Sequence, residues 1–301
     1  MNALPVAALA AMPPSVHSML ERRGIGLAEV GALVDLAPDD VLLLAGSYAT
    51  GEANPTSDLD LLVLRANEDL PRPRVAGVSH PSMFGDSFDI LVGDLTVNLE
   101  YVSGRKYDDL CAVVDSVRVG ARGPEVGNFQ ALELRLAQRV TSGIPLVGAG
   151  RLGELRSRLD MATVQASAAA LNFVMAMSWL EDTGVLPSPR RELMLRGAGE
   201  SLVLAAINAL GPLTYDIKHL FPRAARLAAV PGAPAVLADA ERVVFADHRP
   251  VADSVRFLLD HAEDMDRMVR TDRSHARIDA MLRPFRPGWL WSGRSFGGAE
   301  R

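Results

Sequence analysis

The sequence predicts an α/β domain followed by an all-helical bundle. Short, β-compatible apolar runs are confined to about residues 41–103, the periodicity is helical from about 128 to 283, and Gly123-Pro124 marks a breaker-rich joint near 120–127. The division falls near residue 125, giving a first domain over 1–125 and a helical one over 126–301. With 301 residues, 49% of them hydrophobic, the chain is long enough for two cores.

Taken in order, Pro13-Pro14 can open a helix and Gly24 can end it, so one or two short helices are expected over about 14–36. Val41-Leu42-Leu43-Leu44-Ala45 is a buried-strand pattern that stops at a turn, Gly46-Ser47. Leu59, Leu61, Leu62, Val63 and Leu64 mark a second strand around Asp60. Ser87–Val92 and Leu95–Val102, joined by Gly93-Asp94, read as a hairpin, and Tyr107–Val117 as a helix. The later helices are expected to break at Gly143-Ile144-Pro145, Gly184 to Pro189, Gly211-Pro212 and Val230 to Pro234. Met161–Leu180 carries no charge and has the length of a membrane span, but its Thr, Gln, Ser, Asn and many Ala residues insert poorly into lipid. It is expected instead as a central helix with Ala166, Ala169, Ala170 and Phe173 on a close-packing face.

The chemistry is concentrated in the first domain. Side chains two apart on a strand share a face, with Cα atoms roughly 6.5 Å apart, so Asp58 and Asp60 are expected to project together while Leu59 enters the core. Paired carboxylates repel unless a cation relieves them, and hard oxygen ligands suit magnesium, which takes its other ligands from water and phosphate. Two such ions about 3.5–4 Å apart serve phosphoryl or nucleotidyl transfer. Gly46 lets backbone approach a phosphate closely, and Ser47 adds a hydroxyl donor. Glu100, a charge inside the last strand, is the candidate third acid, and Asp89 competes for that role.

Gly46-Ser47, ten residues, then Asp58-Leu59-Asp60-Leu61 and a later strand with Glu100 resemble the pattern of the polymerase-beta-like nucleotidyltransferase superfamily. That group includes antibiotic-modifying enzymes and the minimal nucleotidyltransferases of toxin–antitoxin pairs. The resemblance covers about residues 35–105. It implies a small mixed sheet with flanking helices, two Mg2+ ions on Asp58, Asp60 and Glu100, and transfer of a nucleoside monophosphate from a nucleoside triphosphate with release of pyrophosphate. Ser47 and Gly46 would hold the triphosphate, Asp58 and Asp60 both metals, and Glu100 the catalytic metal and the acceptor's proton. The loop from Tyr48 to Ser57, with Gly51, Asn54 and Pro55, would lie beside the phosphates. An acid-apolar-acid triplet arises about once or twice by chance in such a composition, so the weight rests on the conjunction of strand, Gly-Ser, gap, second strand and hairpin.

Of 31 basic residues only Lys106 and Lys218 are lysine. By position Lys218 resembles the lysine that such enzymes place against the triphosphate from a helical domain, and Tyr215, three residues earlier, would share its helix face near the base. A solvated lysine and a packed tyrosine are the plainer alternatives. The net charge of −6 argues against a broad nucleic-acid surface, and the resemblance to antibiotic-modifying members implies a small-molecule hydroxyl as the preferred acceptor. Nucleotidylation of a protein or tRNA, as in toxin–antitoxin systems, is one alternative, and a catalytically silent nucleotide-binding regulatory module is the other. Arg270 and His275, read as sharing a helix, resemble the ribonuclease motif of the helical toxins, although 6 histidines among so many arginines make such a pair easy to find by chance. Arg283–Trp291 interleaves arginine with aromatics, including Trp289 and Trp291, and is read as a tail tied down by burial. Cys111, the one cysteine, excludes an intramolecular disulfide and is expected to be a small buried hydrophobe. The apolar Met1–Met12 stretch lacks a basic n-region, and a cytoplasmic protein is expected.

Overall fold

The computed structural model describes residues 2–3, 9–68, 78–81, 86–118, 131–183, 186–187, 189–215, 217–245 and 251–286. The chain divides into two compact units, Met1–Asp115 with Arg135–Asp160, and Ser116–Leu134 with Met161–Arg301. The expected joint at 120–127 and the Trp289/Trp291 tail lie outside the described residues.

In the first unit Asn2–Ala3 (β1) and Asp35–Leu36 (β2) form a short antiparallel ribbon. Val41–Leu44 (β3), Leu59–Leu64 (β4), Val78–Pro81 (β5), Asp86–Val92 (β6), Leu95–Val102 (β7) and Ile144–Val147 (β8) build a six-stranded sheet in the order β5-β6-β7-β4-β3-β8. β4 and β7 run parallel and the other neighbours antiparallel, so the sheet is mixed. Pro14–Arg22 (α1) begins with proline at its first position, and Leu27–Leu33 (α2) follows a turn at Gly24. Gly46–Thr50 (α3) occupies the start of the expected loop, and Gly104–Arg118 (α4), Ala131–Ser142 (α5) and Ala149–Arg158 (α6) follow the sheet strands.

Strand alternation sorts the two faces. Leu59, Leu61 and Val63 of β4, Val97, Leu99 and Tyr101 of β7, and Phe88 and Ile90 of β6 join Val16, Met19, Leu20, Val30 and Leu33 of α1 and α2 in one core. Asp60, Asn98, Glu100 and Asp89 alternate with those residues and therefore face the other way. Leu59 is fully buried, as its place between two acids required.

The stretch read as helical from 128 onward contains a strand. Gly143-Ile144-Pro145, expected as a break between helices, leads into β8, which pairs with β3 at the edge of the sheet. Proline is tolerated on an edge because no further strand needs its missing N–H. A four-residue apolar run between two helices has no periodicity of its own to betray it. The first unit thus takes in Arg135–Asp160, beyond the boundary near 125 read from the sequence.

In the second unit Met161–Thr183 (α7) and Arg190–Leu210 (α8) are the long central helices, followed by Leu220–Ala228 (α9), Ala235–Ala238 (α10), Ala240–Val244 (α11), Val251–Thr271 (α12) and Ala276–Leu282 (α13). Both central helices are long and apolar enough to cross a membrane, but more than half of each apolar window is buried within the protein. Ala166, Ala169, Ala170 and Phe173 form the close-packing face expected of them. Gly199 of α8 allows that helix to touch α11, since a Cβ there would overlap the Val243 carbonyl oxygen.

The end of the β3–β4 pair away from Asp60 is clamped by a buried ion pair. Arg65, just after β4, reaches Asp40, just before β3, at 2.9 Å, and the Asp40 carboxylate, with no exposed side-chain surface, also accepts from the backbone N–H groups of Ala37 and Ala66. Removing one partner of a buried pair strands the other charge. Asp40→Ala is expected to destabilise the first unit by about 3–5 kcal/mol, read as a lower urea midpoint for its unfolding.

Candidate active site

The site begins where β3 ends. The backbone N–H of Ala45 donates to the Asp60 carbonyl at 2.9 Å, carrying the strand pairing to the last residue before the turn. Gly46 then adopts φ +64°, and a Cβ at that position would overlap Asp60 Oδ2. Glycine is required twice over: for the left-handed backbone, and because the Asp60 carboxylate lies where a side chain would be. Ser47 follows, nearly buried, and Gly51, at φ +73°, closes α3. The loop beyond is tied to itself. Asn54 Oδ1 accepts from the Thr56 N–H and hydroxyl and from the Ser57 hydroxyl, while Arg23 donates to the Pro55 carbonyl at 2.7 Å.

Asp58 is exposed and immediately precedes β4, and Asp60 is half-buried within it. The parallel register sets Asp60 opposite Asn98 and Leu62 opposite Glu100. The residue across from Asp60 is therefore an amide, and Glu100 sits one pleat further along the same face. Asn98 donates to Asp89 Oδ1 at 2.7 Å and to Ser87 Oγ at 3.3 Å.

Glu100, 2% exposed, is held by two guanidinium groups. Arg139 of α5 donates through Nη1 to Glu100 Oε2 at 2.6 Å and through Nη2 to Asp60 Oδ1 at 2.7 Å. Arg135, one turn earlier, approaches the same Glu100 oxygen at 3.0 Å. The sequence expectation brings Asp58, Asp60 and Glu100 together on two ions; in the structure Arg139 bridges Asp60 and Glu100. Among the described residues no three acidic, histidine or cysteine side chains are arranged to hold a metal ion. The donor set as it stands does not fit the expected pair of magnesium ions, because a guanidinium lies between two of the three carboxylates.

Neither arginine was singled out from the sequence. Both lie in a segment assigned to the helical domain, and among 31 basic residues nothing local marks them. Their spacing of four within a helix is the one signal present, since it places both on one face.

The second-unit candidates are also corrected in part. Tyr215 and Lys218 do not share a helix. Asn208 exchanges bonds with both backbone groups of Thr214, at 2.7 and 2.8 Å, and Arg223 donates to the Thr214 hydroxyl, fixing a non-helical segment. Tyr215 is half-buried there, Lys218 is exposed in a turn, and helix resumes only at Leu220. Arg270 and His275 likewise sit on different elements: Arg270 near the end of α12, paired with Asp266 at 3.0 Å, and His275 buried in a 3-10 turn over Arg273–His275. Cys111 is buried as expected, and burial pushes its thiol pKa up.

Residues 30–117 match the nucleotidyltransferase domain family. A nucleotidyltransferase-like protein from Exiguobacterium sibiricum has a related structure, 14% identical, with 82% of this chain and 73% of that chain covered and a TM-score of 0.40. No curated protein matches the chain.

The contact between the turn and the acid is directly testable. Gly46→Ala is expected to lower thermal stability by an amount on the order of 1–3 kcal/mol and to push Asp60 out of its place. The measurement is a melting curve together with the chemical shift of a labelled Asp60 carboxyl, which should move.

Proposed function

Starting from a nucleotidyltransferase domain over residues 30–117, we propose that the chain moves a nucleoside monophosphate from a nucleoside triphosphate to a hydroxyl of a small molecule. The observation that carries this reading is the packing of Gly46 against Asp60. It joins a left-handed glycine turn to an acid on the neighbouring strand, with exposed Asp58 two residues away from that acid. In the transfer the acceptor oxygen forms a bond to the α-phosphorus, the bond from that phosphorus to the bridging oxygen breaks, and pyrophosphate leaves with the electron pair. The hydroxyl proton passes to Asp58, which lies exposed immediately before β4. Gly46 and Ser47 receive the triphosphate. The small acceptor is supported by the resemblance to antibiotic-modifying members, and the net charge of −6 disfavours a long nucleic acid.

One observation favours a second reading, a nucleotide-binding module without turnover: Arg139 already neutralises two of the three acids. The two are separated by incubating the protein with magnesium and each labelled triphosphate, with and without lysate fractions. The first reading expects label in a small metabolite. Label in protein or RNA would redirect it to a macromolecular acceptor, and triphosphate binding with no transfer would establish the silent module. Asp60→Asn is expected to reduce transfer to background in a protein that remains folded by circular dichroism, and persistent transfer would remove Asp60 from the site.

A further inference from the structure

We infer that Arg139 is the resident cation of this centre: it bridges Asp60 and Glu100 so that the unliganded protein excludes a divalent ion from between them. The inference concerns the ground state of the acids and stands whether or not transfer occurs.

The bridge has the features of a fixed part. Arg139 is 7% exposed and Glu100 2%, so both charges are withdrawn from water and each is the other's main compensation. The guanidinium is planar and forked, and here its two ends serve two different carboxylates at 2.6 and 2.7 Å, a geometry that lysine or a rotating side chain does not reproduce. Arg135 adds a second positive charge against Glu100. The two guanidinium groups balance the charges of Asp60 and Glu100, which weakens the attraction for a dication between them.

The helix that delivers Arg139 is itself held in place. A Cβ at Gly143 would crowd the Arg139 carbonyl oxygen at 2.5 Å and Leu43 of β3 at 3.2 Å, so glycine lets the end of α5 close tightly onto the sheet. Arg156 of α6 then caps that end, donating to the Val140 carbonyl at 2.9 Å and to the Gly143 carbonyl at 2.6 Å. Arg139 thus approaches the acids from a pinned backbone, and an ion entering between them has to displace a buried side chain from two short bonds.

The test is a manganese titration of the full chain without nucleotide, followed by the electron paramagnetic resonance signal of free Mn2+. Wild type is expected to show no tight site. Arg139→Gln, which frees the acid pair, is expected to bind one Mn2+ at least about tenfold more tightly, the bridge being the competitor removed, and Asp60→Asn in that background should abolish the gain. Arg139→Lys keeps a charge without the fork and should fall between the two, which serves if Arg139→Gln does not fold by circular dichroism. Tight stoichiometric Mn2+ binding by wild type, or equal affinities in wild type and the Arg139 variants, would overturn the inference. Because no nucleotide is present, its failure leaves the transfer assay untouched, and absence of transfer leaves this result untouched.

Discussion

Charge compensation on one face of the mixed sheet is the constraint around which the first unit is arranged. Asp60, Glu100 and Asp89 all project from the face opposite the apolar core, on neighbouring strands, where their mutual repulsion would otherwise oppose the pairing of β4, β6 and β7. Each is answered by a specific donor: Asp60 and Glu100 by Arg139, Glu100 again by Arg135, and Asp89 by the Asn98 amide. The pinning of α5 against β3 through Gly143 and Arg156 follows from the same need, because a buried charge without its partner costs several kcal/mol. β8 has its place here too, since it directly follows α5 and pairs with β3, the strand that ends at Gly46.

Much of this fold was legible because its signals are local. The strands at 41–44 and 59–64, the hairpin through Gly93-Asp94 and the helix over Gly104–Arg118 each carry period, breaker and composition that agree. The Gly46–Asp60 relation was legible in kind: glycine at the end of an apolar strand, followed at a fixed gap by an acid inside another, is a pattern whose reason is close approach. The structure supplies that reason in the carboxylate occupying the space of a Cβ.

What was not legible depends on contacts distant in sequence. Glu100 and Arg139 are 39 residues apart and Asp60 and Arg139 are 79 apart. A charge inside a strand marked Glu100 as unusual, but sequence alone could not say whether its partner was an ion or a side chain. β8 escaped because four apolar residues beside a proline have no period of their own. Tyr215 and Lys218 were misplaced on a helix because the competing interaction, Asn208 holding both backbone groups of Thr214, is made by a side chain on the preceding helix.

The same comparison explains why Asn98 is informative. Parallel pairing puts it directly across from Asp60, the position from which a further carboxylate would most strongly repel that acid. An amide there adds no charge, and its donor is turned to Asp89 rather than to Asp60. The acid displaced by one pleat, Glu100, is instead within reach of the guanidinium that also serves Asp60. Shifting the negative charge by two residues along β7 therefore exchanges a site where carboxylates crowd one another for one where a single arginine spans them both. The parallel register of β4 and β7, rather than the count of acids in the sequence, decides which cation this face accommodates.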